Sequence, residues 1–139
     1  MTEVRVFKNR RPVKKEKNPV LEKSFSFALQ VLDIVKELNE ERQFVLAGQV
    51  CRSGTSIGAN IREAQRAQSK ADFIHKMNIA LKEAEETDYW FMLIDRKVRK
   101  VPQGMKEGLD ELIRLLVSII NSVKRNNNQS AGNKCKIQN

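Results

Sequence analysis

Gly54 and Gly58 stand four residues apart in the stretch Gln49 to Gln68, QVCRSGTSIGANIREAQRAQ, which otherwise keeps helical spacing. A glycine inside a helix costs about 1 kcal/mol relative to alanine. Two of them demand a compensating gain, most simply the close approach of a second helix. At about 100° per residue, Leu46, Val50, Ile57, Ile61 and Ala64 fall on one apolar stripe, with Ala47, Gly54 and Gly58 along its edge. Gly54, Gly58, Ile57 and Ile61 are therefore the expected helix-packing residues. The opposite arc, about 80° wide on the same wheel, carries Arg52, Thr55, Arg62, Arg66 and Lys70. A helix with a close-packing face and a basic face reads as the centre of a bundle.

The flanking sequence supplies three more amphipathic segments. Asn18-Pro19 marks a helix start, and the helix runs to about Asn39. It carries two apolar sets. Leu21, Phe25, Ala28, Leu29, Leu32 and Val35 form one stripe, read as the core face. Phe27, Val31, Ile34 and Leu38 form the other, read as a subunit interface or a widened core, with the interface preferred. After a short polar link, Asn39 to Arg42, the central helix runs to the region of Gln65 to Gln68. Ser69, with Asp72 three residues on, forms a near capping box that starts the third helix. From Lys70 to about Lys100, Phe73, Met77, Ala80, Leu81, Ala84, Phe91, Ile94 and Val98 recur at threes, fours and sevens. Ile79, Trp90 and Leu93 lie off that stripe as a second apolar patch, with Trp90 an interface anchor or a cap on the bundle's own core.

Val101-Pro102 breaks the chain before a fourth helix lined by Met105, Leu109, Leu112, Ile113, Leu116, Ile120 and Val123. The expected organisation is a basic flexible arm over residues 1–18, an all-α antiparallel up-down four-helix bundle over 19–125, and a disordered polar tail over 126–139.

The formal charge of +9 sits at the two termini. Residues 1–19 hold seven Lys/Arg and two Glu, residues 121–139 hold four Lys/Arg and no acid, and the body between them balances. Basic ends on a neutral body suit contact with a polyanion, or serve solubility alone. With no apolar leader and no run of 18 apolar residues, a soluble cytoplasmic protein without a membrane partner is expected. Cys51 and Cys135 are the only cysteines and His75 the only histidine. No Cys/His/Asp cluster has metal-ligand spacing, and a di-metal bundle site needs paired Glu-x-x-His motifs that the chain lacks. The expectation is a protein without cofactor, metal or catalytic activity.

The runs RSGTSIGANIREA and AQSKADFIHKMNIALKEAEETDYW resemble the bacterial four-helix-bundle family of proteins encoded in 23S rRNA intervening sequences, over about Phe25 to Arg125. The resemblance implies an up-down bundle assembled as a homopentamer, with no assigned enzymatic activity. It also implies a distant relation to the accessory variability determinant proteins of diversity-generating retroelements, which bind nucleic acid and a reverse transcriptase. This chain departs from the family pattern at Gly54-Thr55 and at Asn60-Ile61-Arg62-Glu63-Ala64, and the added arginine favours nucleic-acid contact. The functional expectation is a homo-oligomeric RNA- or DNA-binding accessory protein that contacts phosphates through Arg52, Arg62, Arg66 and Lys70 on the helices and Arg10, Arg11, Lys14 and Lys15 on the arm. The alternative is a protein-interaction scaffold, such as a reverse-transcriptase accessory subunit. The apolar residues Phe27, Ile34 and Trp90 would then matter most.

Overall fold

Four helices follow one another: α1 (Pro19–Glu40), α2 (Phe44–Ala64), α3 (Lys70–Lys97) and α4 (Gln103–Lys136). The structure is a computed structural model that describes the backbone of residues 18–136 and the side chains of residues 18–132. No strand occurs among the described residues. Each helix packs on its sequence neighbours, and α1 closes the ring against α4. Lys23 of α1 pairs with Glu111 of α4, while Arg99, just past α3, reaches Glu37 and Glu41 at the far end of α1. Helices α1 and α3 therefore end together, and α4 runs back along α1. This is the up-down bundle read from periodicity.

The turns explain why the helices stop where they do. Arg42 adopts the left-handed conformation at φ 62°. That reversal lets the Gln43 N–H donate to the Leu38 carbonyl at 2.8 Å and closes α1. At the next turn, the Asp72 N–H donates to Ser69 Oγ at 3.1 Å, and the Asp72 carboxylate accepts from the Gln68 N–H at 3.2 Å. Between α3 and α4, the Asp95 carboxylate accepts from the Val101 N–H at 2.7 Å and from the Lys106 ammonium. Those donors, Lys106 first, hold the Asp95 carboxyl below its ordinary value.

The core joins Phe27, Val31, Ile34 and Leu38 of α1 to Val50, Ile57 and Ile61 of α2, Met77, Phe91 and Ile94 of α3, and Leu109, Leu112 and Leu116 of α4. Phe27 and Phe91 meet as tilted rings with centroids 6.1 Å apart. Buried polar groups are satisfied. Thr87 Oγ1 lies 2.7 Å from the Glu83 carbonyl and 2.9 Å from Ser53 Oγ, so it donates to the first and accepts from the second.

Three expectations require correction. On α1 Phe27, Val31, Ile34 and Leu38 are buried in the chain's own core, whereas of the stripe expected there Leu21 and Val35 pack partly buried against the core and Phe25, Leu29 and Leu32 are 55, 51 and 49% exposed. Both stripes are apolar, so periodicity alone does not choose between them. The inward one is the one containing Ser24, whose hydroxyl is satisfied by the Leu21 carbonyl at 3.1 Å, and Val31, which faces Gly54. Second, Ile79, Trp90 and Leu93 do not make one free patch. Ile79 and Trp90 are half-buried, and Trp90 packs against the core. Third, the expected disordered tail from residue 126 is helical as far as Lys136. Once a helix is nucleated, each added residue gains a backbone hydrogen bond, and this offsets a weak intrinsic propensity.

The two glycines of α2 differ in kind. A Cβ on Gly54 would lie 2.7 and 2.9 Å from the two γ-methyls of Val31 and 3.3 Å from its Cβ. A β-branched side chain in a helix has no alternative rotamer to retreat into. A Cβ on Gly58 would meet Ser24 at 3.4–3.5 Å, an ordinary contact. Gly54→Ala should therefore cost about 1–3 kcal/mol in urea denaturation by overpacking. Gly58→Ala should be neutral or stabilising by up to about 1 kcal/mol, through helix propensity. A second outcome concerns acid. Because the folded-state pKa of Asp95 is depressed, its contribution is present at neutral pH and is lost as pH falls through that depressed value, below the usual 3.8. Asp95→Asn should lower stability at pH 7 by about 1 kcal/mol, and the deficit should vanish in the acid limb of a pH series of urea titrations.

Candidate nucleic-acid interface

Among the described residues the basic side chains fall into neutralised and unpaired groups. Arg52, midway along α2, points across the seam to α3. Its guanidinium donates to Glu83 at 3.1 Å and also pairs with Glu86. The hydrogen bond from Arg52 is the main reason the Glu86 carboxyl sits below its ordinary value, and the Trp90 indole N–H adds to it at 3.3 Å. The Glu86 hydrogen bond likewise raises Arg52. With two carboxylates on one guanidinium, Arg52 serves the α2–α3 seam. Its place among the phosphate-binding candidates is withdrawn, because Glu83 and Glu86 already neutralise its charge.

Arg62, Arg66 and Lys70 behave differently. All three are exposed, and none has an ion pair among the described residues. Glu63, the nearest acid in sequence, pairs with Lys76 instead at 3.2 Å. They do not share one helix face as the sequence implied. Arg62 is in the last turn of α2, Arg66 is in the connecting turn and Lys70 opens α3, because the Ser69 cap starts a new helix. All three nevertheless lie at the same end of the bundle. The N-terminus of α1 is there too: the Asn18 amide donates to Gln65 at 3.3 Å. Arg10, Arg11, Lys14 and Lys15 lie outside the described residues, and their chain joins the bundle at this end.

The C-terminal half of α4 also arrives here, since α4 runs antiparallel to α1. It brings Lys124 and Arg125, both exposed and without an ion pair among the described residues. Sequence reasoning counted these two charges but placed them at the margin of a tail, so they were missed as candidates. An even number of antiparallel helices puts both ends of the described chain on the same side of the bundle. The opposite end carries Lys36, Arg42, Arg96, Lys97, Arg99, Lys100 and Lys106 beside Glu37, Glu40, Glu41, Asp95 and Glu107, and of these bases Arg99 and Lys106 have ion pairs among the described residues.

An apolar surface flanks the basic end. Phe25 and Ala28 of α1 and Thr55, Gly58, Ala59 and Arg62 of α2 line an open groove of about 190 Å³. Leu29 and Leu32 continue the exposed apolar side of α1 away from it, and Phe44 is exposed at the start of α2. On α3 a separate exposed set comprises Tyr89, Met92 and Leu93. No group of three or more metal-ligating side chains comes together among the described residues. No helix there is long and apolar enough to cross a membrane.

Comparison with known proteins adds a lineage to this geometry. A model of the family described as 23S rRNA-intervening sequence protein matches residues 16–122. The chain is also similar to a crystal structure of a protein with unknown function from the S23 ribosomal protein family of Bacteroides thetaiotaomicron. The two are 50% identical with a TM-score of 0.70, over 73% of this chain and 97% of that one. No curated protein matches the chain.

Proposed function

The chain belongs to the 23S rRNA-intervening sequence protein family, and from that membership we propose that it is a non-catalytic, homo-oligomeric accessory protein that binds RNA or DNA phosphates through the basic end of its bundle. The observation that supports this reading is the placement of charge. The whole formal excess of +9 belongs to the two termini, and the up-down topology brings the points where both join the bundle to the end that also presents Arg62, Arg66 and Lys70. Charge gathered at one pole attracts a polyanion more strongly than the same charge spread over the surface. Each phosphate neutralised by Lys or Arg releases condensed counterions.

Self-association multiplies that field. The exposed side of α1, Phe25, Leu29 and Leu32, together with Phe44, presents apolar area on the order of the few hundred Å² at which a patch on a monomer marks an interaction site. This is the surface we assign to the contact between copies, in place of the buried stripe. A homopentamer, which the family resemblance implies, would carry the charge fivefold and engage nucleic acid multivalently. The separate patch of Tyr89, Met92 and Leu93 favours a second reading, in which the bundle is a scaffold for a protein partner such as the reverse transcriptase of a retroelement.

Fluorescence anisotropy with structured RNA and duplex DNA over a salt series tests the leading reading. The full chain should bind both, with affinity falling steeply with salt. The double variant Arg62→Ala, Arg66→Ala should flatten the log–log salt slope by about 2, whereas Arg52→Ala should leave that slope unchanged. Absence of binding near physiological salt would overturn the proposal and leave the scaffold reading. Sedimentation tests the assembly face: Leu29→Glu with Leu32→Glu should reduce the mass to that of a monomer. An unchanged oligomer in that variant would place the contact elsewhere.

A further inference from the structure

Helix α4 outlasts its neighbour α1. Lys106 pairs with Asp95, and equal rise along two antiparallel helices then brings Lys124 and Arg125 about level with Met77 and Lys76. The pairing of Lys23 with Glu111, and the seam where Ile34 and Glu37 meet Met105, bring the first turn of α1 level with residues from about 112 to about 123 of α4. Beyond that range α4 is flanked by α3 alone. Asn121, Lys124, Arg125, Asn128 and Gln129 are exposed, while Val123 and Asn127 are half-buried on the inner side. On the helical wheel, Asn121, Arg125, Asn128, Gln129 and Gly132 share one outward arc about 100° wide.

Asparagine is among the weaker helix formers, and the helix persists here as the continuation of the packed part of α4, each residue adding a backbone hydrogen bond. From Asn121 to Asn139 the sequence contains no acid, four Lys/Arg, six Asn and two Gln. Every polar group that the outward arc presents is a hydrogen-bonding amide or a cation. Such a set is suited to a polyanion that also offers donors and acceptors at close range. An α-helix about 10–12 Å across fits the B-DNA major groove, about 12 Å wide. The A-form RNA major groove is too deep and narrow to admit side-chain reading.

We propose that α4 from Asn121 to Lys136 is a reading helix for duplex DNA, entering the major groove with Asn128 and Gln129 toward base edges and Lys124 and Arg125 toward the flanking phosphates. This rests on the nucleic-acid reading above and gives it an element and a groove. Asparagine and glutamine pair in bidentate fashion with adenine, so A·T-rich sequence is the favoured target.

The test uses the full chain, with an A·T-rich duplex DNA and a duplex RNA of the corresponding sequence as probes. Asn128→Ala with Gln129→Ala should weaken binding to the DNA about tenfold. It should leave RNA binding and the salt slope unchanged, because no charge is removed. Both side chains are exposed, so the thermal midpoint should not move. Hydrogen exchange should show the amides of residues 121–136 protected when the DNA is added to the parent chain. Retained DNA affinity in the variant, an equal loss on RNA, or no added protection would each overturn the reading helix while leaving phosphate binding intact. Failure of the parent chain to bind either probe would overturn both proposals.

Discussion

The close approach of α1 and α2 at Gly54 is the contact on which the rest of the bundle depends. Val31 occupies the space that a Cβ at Gly54 would need, so the two backbones come together where a side chain would otherwise hold them apart. The contact sets the rotation of α1 about its own axis. It turns Val31, and with it Phe27, Ile34 and Leu38, inward, and leaves Phe25, Leu29 and Leu32 outside. The same rotation decides which surface is offered to another molecule. A packing detail on one helix thus fixes the outer face of its neighbour.

Electrostatics then divides the surface into parts with different work. Along the α2–α3 seam, Arg52, Glu83, Glu86 and the Trp90 N–H form a closed set of charge-assisted hydrogen bonds. Arg99 with Glu37 and Glu41, and Lys106 with Asp95, fasten the opposite end. These partly exposed pairs contribute modestly to stability, but they consume cations that would otherwise be available to a ligand. Of the basic side chains without an ion pair among the described residues, Arg62, Arg66, Lys70, Lys124 and Arg125 lie where the chain enters and leaves the bundle, and Arg42, Arg96, Lys97 and Lys100 lie at the opposite end. The proposed function rests on the first group together with the charge of the two termini.

Much of this was legible in the residues and some of it was not. The four helices were readable because Met77, Ala80, Ala84, Phe91 and Ile94, or Leu109, Leu112, Leu116 and Ile120, repeat at an unambiguous period. The Ser69 cap was readable because its chemistry is local. The inner face of α1 was not, because two apolar stripes satisfy the same pattern and the longer of them turned out to hold the exposed Phe25, Leu29 and Leu32. The partners of Arg52 were not, because Glu83 and Glu86 are more than thirty residues away in sequence. The helical extension of α4 was hidden by composition: asparagine-rich sequence signals weak propensity, whereas continuation from an existing helix is a property of what precedes it.

By itself the sequence determined the fold class, the number of helices, the residues able to pack closely and the assignment of net charge to the two ends. Each of these depends on periodicity or composition within a short window, where covalent spacing already fixes which side chains share a face. The tertiary structure alone decided which apolar stripe is core, which arginine is neutralised and which remains free, and that the described chain enters and leaves the bundle at one end. Those outcomes depend on contacts between helices distant in the chain. The rotation and direction of each helix are set by the neighbours it packs against, and no window along the chain contains that information.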